Sequence, residues 1–108
     1  MYHNSLCFNY VLISRAIAVN PEILILDDSS SALDYKTDAN LRRALSTALP
    51  NSTVITVAQR VSSVKNCDLI LVIEDGAIIG YGKHEDLMER CVEYKEISDS
   101  QMGGAFLD

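Results

Sequence analysis

Two adjacent carboxylates, Asp27 and Asp28, directly follow the aliphatic run Ile23 to Leu26. A short run that is apolar throughout predicts a parallel strand covered on both faces. Ligands of open parallel sheets bind beyond the carboxyl ends of the strands, which is where Asp27 would lie. A carboxylate there is a hard oxygen ligand suited to Mg²⁺, an ion that keeps several waters and binds nucleotide phosphates. The run is therefore a candidate Mg²⁺ site, although the pattern is common and by itself more often marks an ordinary strand end.

Helices and strands alternate along the rest of the chain. The predicted elements are a helix ending at residues 13–19, a strand at 23–26, a helix at about 34–49, a strand at 53–57, a helical turn at 61–65, strands at 68–73 and 77–81, and a helix at about 85–98. Asp75-Gly76 predicts a tight hairpin between the last two strands. The order favours an α/β fold in which crossover helices connect the strands of a parallel sheet.

Apolar residues at spacings of three and four predict which helix faces are buried. The stripe of the middle helix is Leu41, Ala44, Leu45, Ala48 and Leu49, and that of the last helix is Leu87, Cys91, Tyr94 and Ile97. Asp34 or a neighbour is expected to cap the middle helix, because aspartate is a favoured N-cap residue. Asn20 and Pro21 are expected to end the first helix, since proline cannot continue one.

Composition excludes several classes of protein. With 108 residues, 48% hydrophobic and 22% charged, the chain is expected to be one small globular domain rather than a disordered segment. Its net charge of −6 makes nucleic acid and anionic membrane surfaces poor partners. Cys7, Cys67 and Cys91 are widely spaced and form no zinc motif, so reduced thiols are expected. No stretch predicts a membrane span or a signal peptide.

The twelve residues from Ile23 to Asp34 resemble the Walker B strand and the D-loop of ABC ATPases. Four further stretches resemble other parts of that domain. Ser14–Ile17 resembles the helix after the signature loop, and Val54–Val61 resembles the switch strand. Asp68–Gly82 resembles the strand pair that follows the switch strand, and His84–Leu87 resembles the start of a helix near the end of the domain. The motifs occur in the family's order and are most like those of multidrug-type exporters. The resemblance implies three segments: residues 1–10 without a match, 11–101 as the C-terminal part of the ATPase domain, and 102–108 as a loose tail.

The resemblance also implies a role for five residues. Asp27 matches the aspartate that holds Mg²⁺, usually through water. Asp28 stands at the place of the catalytic glutamate, and Gln59 at the place of the switch histidine. Ser31 and Asp34 match the D-loop, which lies at the nucleotide site and contacts the opposite subunit in the closed dimer.

Two of these positions depart from the family's usual residues. The side chain of Asp28 is one methylene shorter than glutamate, so its carboxylate is set back by about 1.5 Å. Gln59 can hydrogen-bond a γ-phosphate but cannot carry a proton or a positive charge. Some heterodimeric exporters pair a competent ATP site with a degenerate one, and these departures imply a contribution to a degenerate site. The alternative is that both are tolerated variants in a slow site.

The phosphate loop of the family is absent from these 108 residues, since the chain contains no GxxxxGK[ST]. At the place of the LSGGQ signature stands His3–Cys7, which has no glycine. The expected fold is therefore a partial P-loop NTPase-like parallel sheet with crossover helices that lacks the phosphate-loop strand. That loss would leave a gap in the sheet or force residues 53–57 and 68–73 to pair directly.

Three functions are compatible with this sequence. The first is a fragment of the ATP-binding subunit of an ABC exporter, whose parent uses ATP and Mg²⁺ to drive transmembrane transport. Its expected partners are the remainder of the ATPase domain, the transmembrane domain and an opposite ATPase half. The chain is expected in the cytoplasm, associated with the membrane only through the transporter. The alternatives are a non-enzymatic interaction module and a non-functional remnant of a truncated gene. In every case the chain alone is expected to be inactive as an ATPase.

Overall fold

The computed structural model describes residues 13–27 and 34–107, with side chains described as far as residue 102. The chain divides into two compact units, with the boundary between Gln59 and Arg60. The sequence predicted a single domain, but each unit has a hydrophobic core of its own. The two units are therefore described separately.

The first unit follows the predicted order of helix, strand, helix and strand. The described part of helix α1 covers residues 13–18. Strand β1 is Ile23–Asp27, helix α2 is Tyr35–Ala48 and strand β2 is Thr53–Val57. Asn20, with a positive φ of 50°, ends α1, and its N–H donates to the carbonyl of Ile17 at 2.9 Å. Asparagine tolerates this left-handed conformation, so α1 ends where the sequence predicted.

Strands β1 and β2 pair in parallel, with Ile23 opposite Thr53 and Asp27 opposite Val57. Helix α2 is the connection between them, which a parallel pair requires because its ends lie far apart. The predicted adjacency of these strands and the α/β fold class are confirmed.

The core of the first unit lies on one face of this sheet. Leu24 and Leu26 are buried against Leu45 of α2, against its C-cap residue Leu49 and against Ile13 of α1. The alternate residues of β1, Ile23 and Ile25, are 60% and 63% exposed. The expectation of a strand covered on both faces is therefore wrong for the described residues, because their helices cover only one face.

The buried side of α2 differs in part from the predicted stripe. Leu45 and Leu49 are buried and Leu41 is partly buried, as predicted, but Ala44 and Ala48 are exposed. Asp38, seven residues before Leu45, is buried instead. It can be buried because Arg42 forms an ion pair with it, with Nε 3.0 Å from Oδ1.

The second unit contains helix α3 (Val61–Val64), strands β3 (Ile70–Glu74) and β4 (Ala77–Gly82), and helices α4 (His84–Arg90) and α5 (Val92–Leu107). Strands β3 and β4 form an antiparallel hairpin. Its turn is Asp75-Gly76, with φ angles of 51° and 78°. Two consecutive positive φ angles are what a two-residue type I′ turn needs, so the predicted hairpin is confirmed.

The last predicted helix is interrupted. Cys91, with φ −112° and ψ 102°, separates α4 from α5. Leu87, Cys91 and Tyr94 are buried as predicted, but Ile97 is 45% exposed and Ser98 is buried in its place. Leu87, Cys91, Tyr94 and Ser98 are four, three and four residues apart, so the buried side keeps a helical spacing across the break. Helix α5 also includes residues 102–107, where a loose tail was expected, and glycine inside a helix costs only about 1 kcal/mol.

The described strands form two separate hydrogen-bonded pairs, β1 with β2 and β3 with β4. In this part of the chain β2 and β3 are not partners, so the direct pairing considered from the sequence does not occur. No helix among the described residues is both long and apolar enough to cross a membrane.

Candidate functional site

The carboxyl ends of the two parallel strands bring together two of the predicted site residues. Asp27 is the last residue of β1, is exposed, and lies opposite Val57, the last residue of β2. Gln59 follows two residues later and is also exposed. Both residues therefore lie at one edge of the sheet, the edge at which open parallel sheets bind their ligands.

Asp34 has a structural role that the sequence also suggested. It is the N-cap of α2, and its Oδ1 accepts a hydrogen bond of 2.7 Å from the N–H of Thr37. The cap satisfies one of the N–H groups that have no partner inside the helix. The other two predicted site residues, Asp28 and Ser31, lie outside the described residues.

Asp27 fits one ligand position of a Mg²⁺ ion. It offers an exposed carboxylate at a strand end, and Mg²⁺ in nucleotide sites takes one or two carboxylates, with phosphates and waters as its other ligands. Within the described ranges no three side chains of His, Cys, Asp or Glu are grouped to hold a metal ion. Such an ion would therefore depend on the phosphates of a nucleotide for much of its coordination.

The second unit contains a polar pair that no sequence pattern predicts. His84 Nδ1 and Tyr94 Oη share a hydrogen bond of 2.8 Å, and the two rings meet edge to face at 5.6 Å. Burial raises the pKa of Tyr94, and the charges of Cys67 and Glu85 raise it further. The pair ties the first turn of α4 to α5. Tyr94 was expected on the buried side of the last helix, but nothing in the spacing of His84 and Tyr94 predicts that the two pair.

An open hollow of about 390 Å³ also lies in the second unit. Its lining is Glu74, Glu93, Glu96, Ile97, Ser100 and Gln101. Three carboxylates repel an anionic nucleotide, so this hollow does not suit ATP. The carboxyl ends of β1 and β2, where Asp27 lies, are the better candidate for a nucleotide site.

Known proteins similar to this chain are ABC transporter proteins. The ATP-binding protein YknU of Bacillus subtilis is 45% identical over 91 residues, which are 84% of this chain and 16% of that protein. The putative ATP-binding protein MG014 of Mycoplasma genitalium is 39% identical over 98 residues, again 16% of its length. ATP-binding cassette sub-family B member 6 of rat is 43% identical over 94 residues, 11% of its length. No protein-family model matches the chain.

A solved structure has the same fold. A bacterial Atm1-family ABC exporter with ATP bound superposes on 86% of this chain with a TM-score of 0.81 and 33% identity. The chain covers 16% of that exporter. The chain therefore spans about a sixth or less of the length of each of these proteins.

The fold and the sequence together define the class of protein as an ABC-type ATP-binding domain, of which this chain corresponds to one part. Within that class, its relatives include ABC exporters. The resemblance of the chain to an ABC ATPase domain is confirmed at the level of the family, and the bounds of its three predicted segments stay a prediction.

Proposed function

We propose that this chain is the part of an ABC exporter's ATP-binding subunit that carries the Mg²⁺-binding strand. Its parent couples the binding and hydrolysis of ATP to transport across a membrane. The observation that carries the proposal is the position of Asp27 at the carboxyl end of β1, beside the end of β2, in a fold shared with an exporter that holds ATP.

The proposed task of Asp27 is electrostatic. Its carboxylate would hold Mg²⁺, and a bound ion would supply positive charge for phosphoryl transfer. Because Asp27 is exposed at the strand end, it can reach such an ion without distorting the sheet. The phosphates themselves need donors from elsewhere in the parent.

The proposed ATP site is a degenerate one. Asp28 stands in place of a glutamate and sets its carboxylate back by about 1.5 Å from the attacking water. Displacements of that order cost about 10²-fold in rate. Gln59, at the same sheet edge as Asp27, offers a neutral amide where a histidine could carry charge toward the γ-phosphate. Ser31 and Asp34 complete the proposed site as the D-loop that faces the opposite ATPase half.

Three partners follow from the proposal: the remainder of the ATPase domain, the transmembrane domain and an opposite ATPase half that differs from this one. The chain would then act in the cytoplasm and reach the membrane only through the transporter. A net charge of −6 supports the absence of nucleic acid from this set.

A chimera tests the proposal. Residues 11–101 replace the matched stretch of the Bacillus subtilis relative, and photolabelling with azido-ATP is measured with and without Mg²⁺. We expect Mg²⁺-dependent labelling of the chimera, and a loss of at least tenfold in Asp27→Asn. Asp99→Asn, which removes a charge from exposed α5, is the matched control and should label like the parent. Equal labelling of the Asp27→Asn chimera would refute the role of Asp27.

A further inference from the structure

Helix α3 begins two residues after Gln59 and has no N-cap side chain of its own. Its N-cap residue is Arg60, whose side chain makes no capping hydrogen bond, because a guanidinium has no acceptor. A side chain 40 residues further along takes this place. The Oε1 of Gln101, in α5, accepts a hydrogen bond of 2.8 Å from the N–H of Val61. Gln101 therefore supplies an acceptor that the first turn of α3 lacks.

Helix α5 holds Gln101 in place for this bond. Tyr94 and Ser98 of this helix are each only 4% exposed, and Gln101 follows them at spacings of four and three residues. Residues at these spacings lie on one side of a helix, so Gln101 extends the buried side of α5. The hydrogen bond between Tyr94 and His84 also ties this side of α5 to α4.

The short link that contains Gln59 is anchored at both ends. Residues 58–60 connect β2 to α3, and before them Val57 is paired with Asp27 of β1. After them Val61 is held by Gln101 and buries its own side chain. Consecutive Cα atoms are 3.8 Å apart, so the Cα of Gln59 lies within about 7.6 Å of each anchor. The side chain of Gln59 itself is exposed and accessible to a ligand.

We infer that Gln101 is a positioning residue for Gln59. By holding the N–H of Val61 it fixes the start of α3, and with it the place of the Gln59 amide that is proposed to meet the γ-phosphate. The inference rests on the proposed function and adds a control of that site by α5. Loss of the hydrogen bond should therefore weaken the binding of ATP, which has a γ-phosphate, more than that of ADP, which has none.

Amide hydrogen exchange of the full chain, followed by NMR, tests the hydrogen bond. Gln101→Met keeps the length of the side chain but removes the acceptor, so the Val61 N–H should exchange at least tenfold faster. Gln101→Glu keeps an oxygen at the same reach, and a carboxylate is favoured at a helix N-terminus. This conservative variant should exchange within threefold of the parent chain.

Two controls separate a local loss from unfolding. Ser100→Ala changes an exposed neighbour in α5 and should leave the exchange of Val61 within threefold of the parent. The N–H of Cys91, which donates to the Leu87 carbonyl at 2.9 Å, should exchange equally in every variant if the second unit stays folded.

Photolabelling of the chimera with azido-ATP and with azido-ADP tests the positioning role. Gln101→Met should lower labelling by azido-ATP at least threefold and leave labelling by azido-ADP within twofold, whereas Gln101→Glu should label like the parent. Gln59→Ala should show the same selective loss. The double variant should lose no more than Gln59→Ala alone, because Gln101 acts through Gln59.

Each contrary result has a definite meaning. Equal exchange of Val61 in the parent and in Gln101→Met would refute the hydrogen bond as the anchor of α3. Faster exchange with an equal loss of both labels, or of neither, would make Gln101 a stabilising residue only and overturn the inference. A selective loss in Gln59→Ala but not in Gln101→Met would refute the inference and leave the proposed function standing. Unchanged labelling in Gln59→Ala would refute the proposed γ-phosphate contact, and the inference with it.

Discussion

The Oδ1 of Asp34 accepts a hydrogen bond of 2.7 Å from the N–H of Thr37, so the aspartate that resembles the D-loop also closes the first turn of α2. Helix α2 is the crossover that sets β1 beside β2, and Leu45 and its C-cap residue Leu49 belong to the core of the first unit. Substitution of Asp34 therefore affects both the fold and the proposed site, and the two effects have to be measured separately.

We predict that Asp34→Ala lowers the free energy of unfolding of the first unit by about 0.5–2 kcal/mol, because the alanine leaves the Thr37 N–H without its acceptor. Asp34→Asn retains a side-chain oxygen and should cost much less. Urea denaturation followed by circular dichroism measures both. Equal stability of the two variants would mean that the cap does not contribute.

A close contact in the second unit makes Gly80 sensitive to any side chain. A Cβ at this position would lie 3.0 Å from Cys91 Sγ and 3.3 Å from Leu87 Cδ2. Both neighbours are buried, so neither can move freely. We predict that Gly80→Ala costs about 1–3 kcal/mol, as overpacking of a core does.

A double-mutant cycle with Cys91→Ala checks the cause. Removal of the thiol frees the space that the new methyl group needs, so the double variant should be more stable than the sum of the single changes implies, by at least about 0.5 kcal/mol. Additive changes, measured by thermal or urea unfolding, would show that the contact with Cys91 is not the reason.

The adjacency of β1 and β2 was predictable because both strands are apolar runs joined by one amphipathic helix. The hairpin was predictable because Asp75-Gly76 is a sequence that accepts two positive φ angles. The break at Cys91 was not, since Leu87, Cys91 and Tyr94 keep a helical spacing across it. The burial of Asp38 was also missed, because a charged residue is assigned to solvent unless its partner is known, although the i, i+4 spacing to Arg42 was a usable signal.

The candidate site was predictable to a similar extent. The place of Asp27 at a strand end follows from the apolar run before it, and the proximity of Gln59 follows from the pairing of the two strands. The cap at Asp34 follows from residue type. The exposure of Ile23 and Ile25 could not be predicted, because an apolar run specifies two faces to be covered and does not say which residues cover them.

Stability should fall at alkaline pH through Tyr94. Burial, with the charges of Cys67 and Glu85, raises the pKa of this phenol above 10.0 in the folded chain. The folded state then binds more protons than the unfolded state, so the contribution of Tyr94 is complete below pH 10 and is lost as the pH rises from there through the folded pKa.

Urea denaturation between pH 8 and about pH 11 measures this dependence. Tyr94→Phe should cost about 0.5–1.5 kcal/mol at pH 8, because the 2.8 Å hydrogen bond to His84 is lost, and its stability should change less with pH than that of the parent. Tyr81→Phe, at a position 70% exposed, is the control and should leave the slope unchanged. A slope in Tyr94→Phe as steep as in the parent would assign the alkaline loss to other groups.

The purified chain should not hydrolyse ATP above a buffer blank. Phosphate binding in this family depends on a loop that these residues do not contain, and Asp27 is a single Mg²⁺ ligand. A coupled assay of phosphate release measures this. Turnover well above the blank that disappears in Asp27→Ala would contradict the prediction, whereas turnover that persists in Asp27→Ala would indicate a contaminating enzyme.

In a parent protein that contains the whole domain, Asp28 and Gln59 should mark a slow ATP site. General-base catalysis contributes about 10²–10⁴-fold, and a carboxylate held short of the attacking water forfeits much of it. The neutral amide of Gln59 also provides less stabilisation of the γ-phosphate charge than a protonated histidine would. The chimera described above, paired with a competent ATPase half, allows the hydrolysis of each site to be compared.

Asp28→Glu together with Gln59→His should raise hydrolysis at this site by at least tenfold, because it restores the reach of the base and a group that can carry charge. Asp28→Ala should leave the total rate of ATP hydrolysis almost unchanged, since the partner's site hydrolyses most of the ATP. The matched control is an alanine substitution of the catalytic glutamate in the partner half, which should abolish most turnover. If Asp28→Ala instead removed all turnover, Asp28 would be a working base and this site would be a competent one.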